Sequence, residues 1–299
     1  MRGSNPMNRR AWPLFLLLLW VSPRLSAETY PASGLVIRVD VVHRVIELSC
    51  QAIPGFMDAM VMTFPVHNPG ELKGLKPGVI IDFQLDVRKD TEYAEQIHVR
   101  PFESSAQEPM AARQLEILEA AIAASSPPVA PILHVGEAVP DFTLVDQNLE
   151  KVRFADFRGK AVAITFIYTR CPLPNFCFRM SNNFGVLHRR FTHQMGKNLV
   201  LLSVTFDPEH DQPDVLAKYA RTWAKDTTGW HFVTGPSADI RKVYTEFGVS
   251  SWQGEGLLTH SLHTAVVDRD GRLAANLEGN EYSAQQLGDL VEAIMKGSH

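Results

Sequence analysis

The hydrophobic pattern divides the chain into two parts with different periodicities. In residues 34–100, short runs rich in β-branched residues alternate with turns that contain glycine and proline. No segment of this part shows helical spacing, so the pattern predicts a small antiparallel β-barrel. The predicted strands cover residues 35–42, 45–48, 61–66, 79–87 and 94–99.

The second part, residues 135–297, combines buried strands with amphipathic helices. Residues 161–168 and 199–206 are almost wholly apolar, which is typical of strands covered on both faces of a sheet. The order β-α-β-α followed by β-β-α predicts a mixed sheet covered by helices, the thioredoxin-like α/β fold. Predicted helices cover residues 176–191, 213–224, 237–247 and 283–295, and predicted hairpins cover residues 142–154 and 264–276.

Two further segments complete the predicted organisation. Residues 101–134 contain an alanine- and leucine-rich run at 110–124 and a proline-rich run at 125–131, which predict a helix and a semi-rigid linker. Residues 1–27 carry Arg9 and Arg10, a short apolar run and a small-residue site, which indicate a secretory signal peptide. The apolar run is shorter than the about 20 residues of a membrane span, so an uncleaved anchor is the less favoured alternative.

Composition and charge narrow the possible functions. The formal net charge is −4 and no basic run is present, which excludes a typical nucleic-acid surface. No motif indicates a small-molecule substrate. An exported, periplasmic protein meets an oxidising compartment, where its 3 cysteines can form at most one internal bridge.

Two cysteines mark the predicted strand-to-helix turn of the second part. Five residues separate Cys171 from Cys177, so the spacing differs from that of a C-x-x-C redox motif. The start of a helix favours a thiolate, which serves both as a nucleophile in disulfide exchange and as a ligand for Cu(I). His260, predicted in a polar loop before a buried strand, is a candidate third ligand, although a lone histidine is more often structural.

The second part also contains the segments VPDFTLV (139–145), FRGK (157–160), FIYTRCP (166–172), LSVTFDP (202–208), THS (259–261) and VDRDG (267–271). In these segments it resembles the Sco/SenC family. This resemblance implies a thioredoxin-like fold, copper bound by Cys171, Cys177 and His260, and a redox-active disulfide between the two cysteines. His263 is a weaker alternative ligand, and Asp207 matches an acidic position near the site. The family usually has three residues between its cysteines, so the longer gap is a departure.

The first part contains the segments IPGFMDAMVMTFPV (53–66) and LKGLKPG (72–78). In these segments it resembles periplasmic CusF-like domains, which are small OB-like barrels that bind Cu(I). Met60 and Met62 match the paired methionines, and Cys50 stands where a histidine is usual. Met57 lies where a tryptophan can occur. Thioether and thiolate sulfur are soft ligands that select Cu(I), although methionines also fill cores.

Together these resemblances predict an exported metallochaperone. It would deliver copper to the binuclear copper centre of cytochrome c oxidase during assembly. Its partner would be the copper-bearing oxidase subunit or another copper chaperone. Two alternatives stay open: a thiol-disulfide oxidoreductase that reduces the cysteines of its target, and a copper or redox sensor.

Overall fold

The computed structural model describes residues 28–89, 91–100, 132–249, 251–254, 257–260 and 262–297. For residues 251–254 and 257–260 it describes the backbone alone. The predicted signal peptide and the predicted helix at 110–124 lie outside these residues. Within the described part, no helix has the length and apolar character that a membrane span requires.

The described N-terminal residues form an antiparallel sheet of five strands, in agreement with the all-β prediction. The strands are β1 (Glu28–Asp40), β2 (Val45–Cys50), β3 (Val61–Pro65), β4 (Ile80–Arg88) and β5 (Thr91–Val99). Their order is β3-β2-β1-β4-β5. β3 and β5 approach each other, but among the described residues no ladder joins them, so the barrel-like sheet is not closed.

The C-terminal domain has the predicted thioredoxin-like arrangement. Its strands are β6 (Thr143–Asp146), β7 (Lys151–Arg153), β8 (Ala161–Ile167), β9 (Leu199–Thr205), β10 (Trp230–Thr234), β11 (Ser251–Gly254), β12 (Leu257–His260), β13 (His263–Val267) and β14 (Leu273–Glu278). Its helices are α1 (Arg179–Arg190), α2 (Pro213–Trp223), α3 (Ser237–Glu246) and α4 (Ala284–Met295). Within the described residues, the mixed sheet has the order β14-β13-β8-β9-β10-β6-β7, and β8 and β9 are buried along their whole length.

Three local features differ from the sequence-based expectations. β10 was not predicted, because its polar His231 interrupts the apolar pattern. The helix expected from residue 176 instead starts with a kinked turn at Pro174–Phe178, and α1 follows it. His260 was expected in a loop, but it is the last residue of β12, in a small hairpin with β11.

The two domains contact each other, and part of the N-terminal sheet is buried in the core of the C-terminal domain. α4 packs against β1 and β2 of the N-terminal sheet. Leu35 and Ile80, which belong to that sheet, are buried in the same apolar cluster as the C-terminal domain. Gly78 fits closely at the junction, since a Cβ built on it would lie 3.1 Å from a methyl carbon of Leu277.

Candidate metal centre

A buried carboxylate anchors the backbone just before Cys171. Asp211 accepts hydrogen bonds from the backbone N–H of Thr169 (3.0 Å) and from its hydroxyl (2.5 Å). It also accepts one from the hydroxyl of Thr205 at the end of β9 (2.6 Å). Burial raises the pKa of Asp211. The sequence-based reasoning missed this residue, although a second acid four positions after Asp207 was a signal for it.

Asp207, which the resemblance places near the site, also contacts the segment that leads to Cys171. Its carboxylate forms an ion pair with Arg170 at 2.5 Å, and Arg170 immediately precedes Cys171. The backbone N–H of Asp207 donates to the hydroxyl of Thr205 (3.0 Å). The segment from Cys171 to Cys177 is called the cysteine turn. Asp207 and Asp211, which follow β9, therefore fix the position of its start.

The kinked turn explains how a gap of five residues can close. Phe176 has φ −106° and ψ −112°, which departs from helical geometry and redirects the chain. Cys177 is thereby buried, with 1% of its surface exposed, while Cys171 is half-buried. Asn280 donates a hydrogen bond from its amide to the carbonyl oxygen of Asn175 (2.5 Å), which supports the middle of the turn. The structure holds both cysteines as thiols.

Burial of Cys177 and a hydrogen bond between the two thiols make the pKa values of Cys171 and Cys177 differ strongly. The thiol of Cys177 donates a hydrogen bond that lowers the pKa of Cys171 to about 6, against the opposing effect of burial. Burial raises the pKa of Cys177 well above its ordinary value, and the contact with Cys171 raises it further. The hydroxyl of Tyr168 also favours the Cys171 thiolate. The pair thus presents one thiolate and one buried thiol.

We expect alkylation of the reduced chain by iodoacetamide to occur first at Cys171. Its rate should rise with pH through a midpoint near pH 6, because the thiolate is the nucleophile. Mass spectrometry of modified peptides at a series of pH values measures this profile. In the Cys177→Ala control, which lacks the donated hydrogen bond, the midpoint should move to higher pH. An unchanged midpoint in that variant would show that Cys177 does not lower the pKa of Cys171.

The backbone brings His260 toward the same edge of the sheet. β13 runs antiparallel to β8, with Thr264 paired to Thr165, so the start of β13 lies where β8 ends. His260 precedes β13 by three residues, but its side chain lies outside the described residues. Among the described side chains, no group of three from His, Cys, Asp and Glu could hold a metal ion.

His263 is engaged elsewhere. Its Nδ1 lies 3.3 Å from the side-chain oxygen of Asn276, and burial lowers the pKa of its ring. Of the three predicted ligands at the C-terminal site, the structure describes the side chains of Cys171 and Cys177. Two contacting sulfur atoms are a donor set that fits a soft cation such as Cu(I).

The predicted N-terminal ligands lie around the end of β2. Cys50 donates its backbone N–H to the carbonyl of Met60 (2.9 Å), just before β3. This bond continues the ladder in which Leu48 pairs with Met62, so Cys50, Met60 and Met62 lie on one face. Met57 and Met62 pack against the cluster that buries Cys50.

Exposure differs among these ligands. Cys50 is only 2% exposed, and burial raises the pKa of its thiol to about 12, whereas Met60 is 47% exposed. The arrangement gathers soft sulfur donors, with Met60 as the accessible one. Copper binding by the Cys50 thiolate would therefore require loss of a tightly held proton.

Comparison with known proteins identifies both domains. Residues 133–296, more than half of the chain, match the family model described as SCO1/SenC. The chain belongs to the SCO1/SenC family. Residues 29–99 match a second model, described as copper binding periplasmic protein CusF. Both resemblances inferred from the sequence are thereby confirmed.

Curated relatives of this SCO1/SenC protein match about half of its length. The SCO2-like protein of Rickettsia typhi is 28% identical over 149 residues, covering 47% of this chain and 68% of the relative. The SCO1 protein homolog of Bacillus subtilis is 25% identical over 167 residues, covering 54% and 82%. A putative copper-binding protein of Stutzerimonas stutzeri is 26% identical over 147 residues, covering 47% and 69%.

Solved structures of this family are also similar. Bradyrhizobium japonicum ScoI with copper bound matches at 22% identity and a TM-score of 0.46, covering 53% of this chain and 99% of that one.

Proposed function

We propose that this protein is an exported copper chaperone that delivers copper to the binuclear copper centre of cytochrome c oxidase. The observation that carries the proposal is the contact between Cys171 and Cys177. This contact lies at the edge of the seven-stranded sheet where β8 ends and β13, which follows His260, begins. Membership of the SCO1/SenC family supports it, as does the similarity to a copper-binding relative from Stutzerimonas stutzeri. In this proposal His260 supplies the third ligand.

The N-terminal domain would hold a second Cu(I) ion and supply it to the C-terminal domain. The match to a copper binding periplasmic protein supports this role and an exported location. Cys50, Met60 and Met62 would be its ligands, with Met57 beside them. Copper is the cargo in both domains.

A copper titration of the reduced full-length chain tests the two sites. We expect two equivalents of Cu(I) per chain to resist a competing chromophoric chelator. The double variant Cys171→Ser, Cys177→Ser should retain one equivalent. The triple variant Cys50→Ser, Met60→Leu, Met62→Leu should also retain one. Two equivalents in both variants would rule out these ligand assignments.

Delivery is tested by mixing the copper-loaded chain with the copper-free soluble domain of the oxidase subunit. Appearance of the copper–thiolate absorption of that domain would report transfer, and absence of transfer would contradict delivery. His260→Ala should prevent retention and delivery at the C-terminal site, while leaving both cysteines in place.

A second candidate function, reduction of a target disulfide, is favoured by the contrast in acidity between the thiols. The Cys171 thiolate would attack the target disulfide and release one target thiolate. Cys177 would then attack the mixed disulfide, release the second target thiol and leave a Cys171–Cys177 disulfide. This exchange needs no histidine ligand, so a His260→Ala variant that reduces the target but delivers no copper would separate the two activities.

A further inference from the structure

A polar contact fixes the outer face of β2 next to Cys50. Ser49 is completely buried, and its hydroxyl donates to Asp289 of α4 (2.7 Å). Its carbonyl oxygen accepts a hydrogen bond from the side-chain amide of Gln286 (3.1 Å). Asp289 is held in turn by Arg190 at 2.7 Å. Since successive strand residues face opposite sides, docking Ser49 on α4 directs Cys50 into the N-terminal domain.

The neighbouring glutamine contacts the other ligand-bearing segment. Gln285 donates from its side-chain amide to the carbonyl oxygen of Ala59 (3.1 Å), the residue before Met60. Consecutive residues of one helical turn thus hold the residue before Cys50 and the residue before Met60. These contacts come from the C-terminal domain, although both candidate ligands belong to the N-terminal one.

The same short segment also contacts the cysteine turn. Asn280 donates to the carbonyl of Asn175, between Cys171 and Cys177. Ser283 and Gln286 form a capping box, in which each side chain bonds to the backbone N–H of the other, so the start of α4 is well defined. Residues 280–286 therefore contact both the cysteine turn and the segments that carry Cys50 and Met60.

We propose that residues 280–286 form a connector that positions the Cu(I) ligands of the N-terminal domain and couples that site to the cysteine turn. The inference rests on the proposed function only in taking Cu(I) as the cargo. Gln285 and Gln286 are positioning residues, because they bond to backbone carbonyls beside the ligands. Coupling between two binding sites is reciprocal, so copper at the cysteine turn must affect the N-terminal site to the same extent as the reverse.

The positioning role is tested in the full-length chain carrying Cys171→Ser and Cys177→Ser, which leaves the N-terminal site. Adding Gln285→Ala should weaken Cu(I) binding by about threefold to tenfold, the usual range for losing one hydrogen bond. Gln194→Ala is the matched control, because Gln194 accepts its hydrogen bond from Asn198 within the C-terminal domain. Equal affinities for Gln285→Ala and Gln194→Ala would overturn the positioning role.

A copper-independent measurement separates this inference from the proposed function. The amide of Cys50, which bonds to Met60, should exchange its hydrogen several-fold faster in Gln285→Ala than in Gln194→Ala. If the N-terminal site bound no Cu(I), the proposed cargo role would fail, and this exchange rate would still decide whether Gln285 positions the segment. Equal rates in the two variants would overturn the positioning role.

Coupling is tested in a chain carrying Met60→Leu and Met62→Leu, with copper loaded on the cysteine turn. Copper should change the hydrogen-exchange rate of the Cys50 amide severalfold. The variant Asn280→Asp should abolish that change, because aspartate is similar in size to asparagine but cannot donate the hydrogen bond to Asn175. Asn182→Asp, at an exposed position of α1, is the control and should preserve it. A copper effect that is absent, or that survives Asn280→Asp, would overturn the coupling.

Discussion

Replacing Cys177 with serine should abolish Cu(I) retention at the cysteine turn of the reduced chain. A serine hydroxyl is a hard, neutral donor that binds Cu(I) poorly compared with a thiolate. Loss of a residue that only supports a metal ligand lowers metal affinity by about 10–100-fold, and the loss of Cys177 should lower it further.

The measurement is a competition titration in a Cys50→Ser background, which weakens the N-terminal site relative to the cysteine turn. Cys50→Ser alone is the matched control, since it makes the same chemical change at a distant cysteine and should keep the C-terminal copper. Cys171→Ser should lose copper as Cys177→Ser does. Undiminished affinity in Cys177→Ser would mean that this residue is not a ligand.

Replacing Asp211 with alanine should lower the free energy of unfolding of the C-terminal domain by about 2–4 kcal/mol. The substitution leaves the N–H of Thr169 and the hydroxyls of Thr169 and Thr205 without their shared acceptor. A buried donor such as the Thr205 hydroxyl costs about 1–3 kcal/mol when it is left unsatisfied, and the partly buried donors of Thr169 cost less because water can reach them. Because Thr169 lies two residues before Cys171, the cysteine turn should also loosen.

Denaturant unfolding followed by tryptophan fluorescence measures this loss. Asp214→Ala is the matched control: its exposed carboxylate pairs with Lys218 at 3.4 Å, and removing it should change stability by less than about 1 kcal/mol. Asp211→Asn should lie between the two, because an amide keeps one acceptor oxygen. Equal stabilities for Asp211→Ala and Asp214→Ala would show that Asp211 does not anchor the turn.

The sequence predicted elements whose signal is local and strong. β8 and β9 are apolar along their whole length, so their burial in a central sheet followed from the residues themselves. The helix predicted over residues 283–295 agrees with α4, whose N-cap is Ser283, because a capping residue acts within a single turn. The candidate ligands Cys171 and Cys177 were found because few residue types can bind soft metals.

Features that depend on distant residues were not predictable in this way. The closure of the gap between the cysteines involves a kink at Phe176 and a bond from Asn280, which lies 105 positions after Asn175. The docking of the domains uses Ser49 and Gln286, polar residues that would ordinarily be assigned to the surface. Such pairings appear only when the chain is folded.

The burial of Leu35 and Ile80 in the core of the neighbouring domain has a practical consequence for dissecting the protein. A truncated C-terminal fragment would expose the apolar surface that these two side chains cover, and burying each is worth about 1.5–3 kcal/mol. Exposed apolar patches promote self-association. The natural unit for purification and for copper measurements is therefore the joined pair of domains, and a fragment would need polar replacements on that surface to stay monomeric.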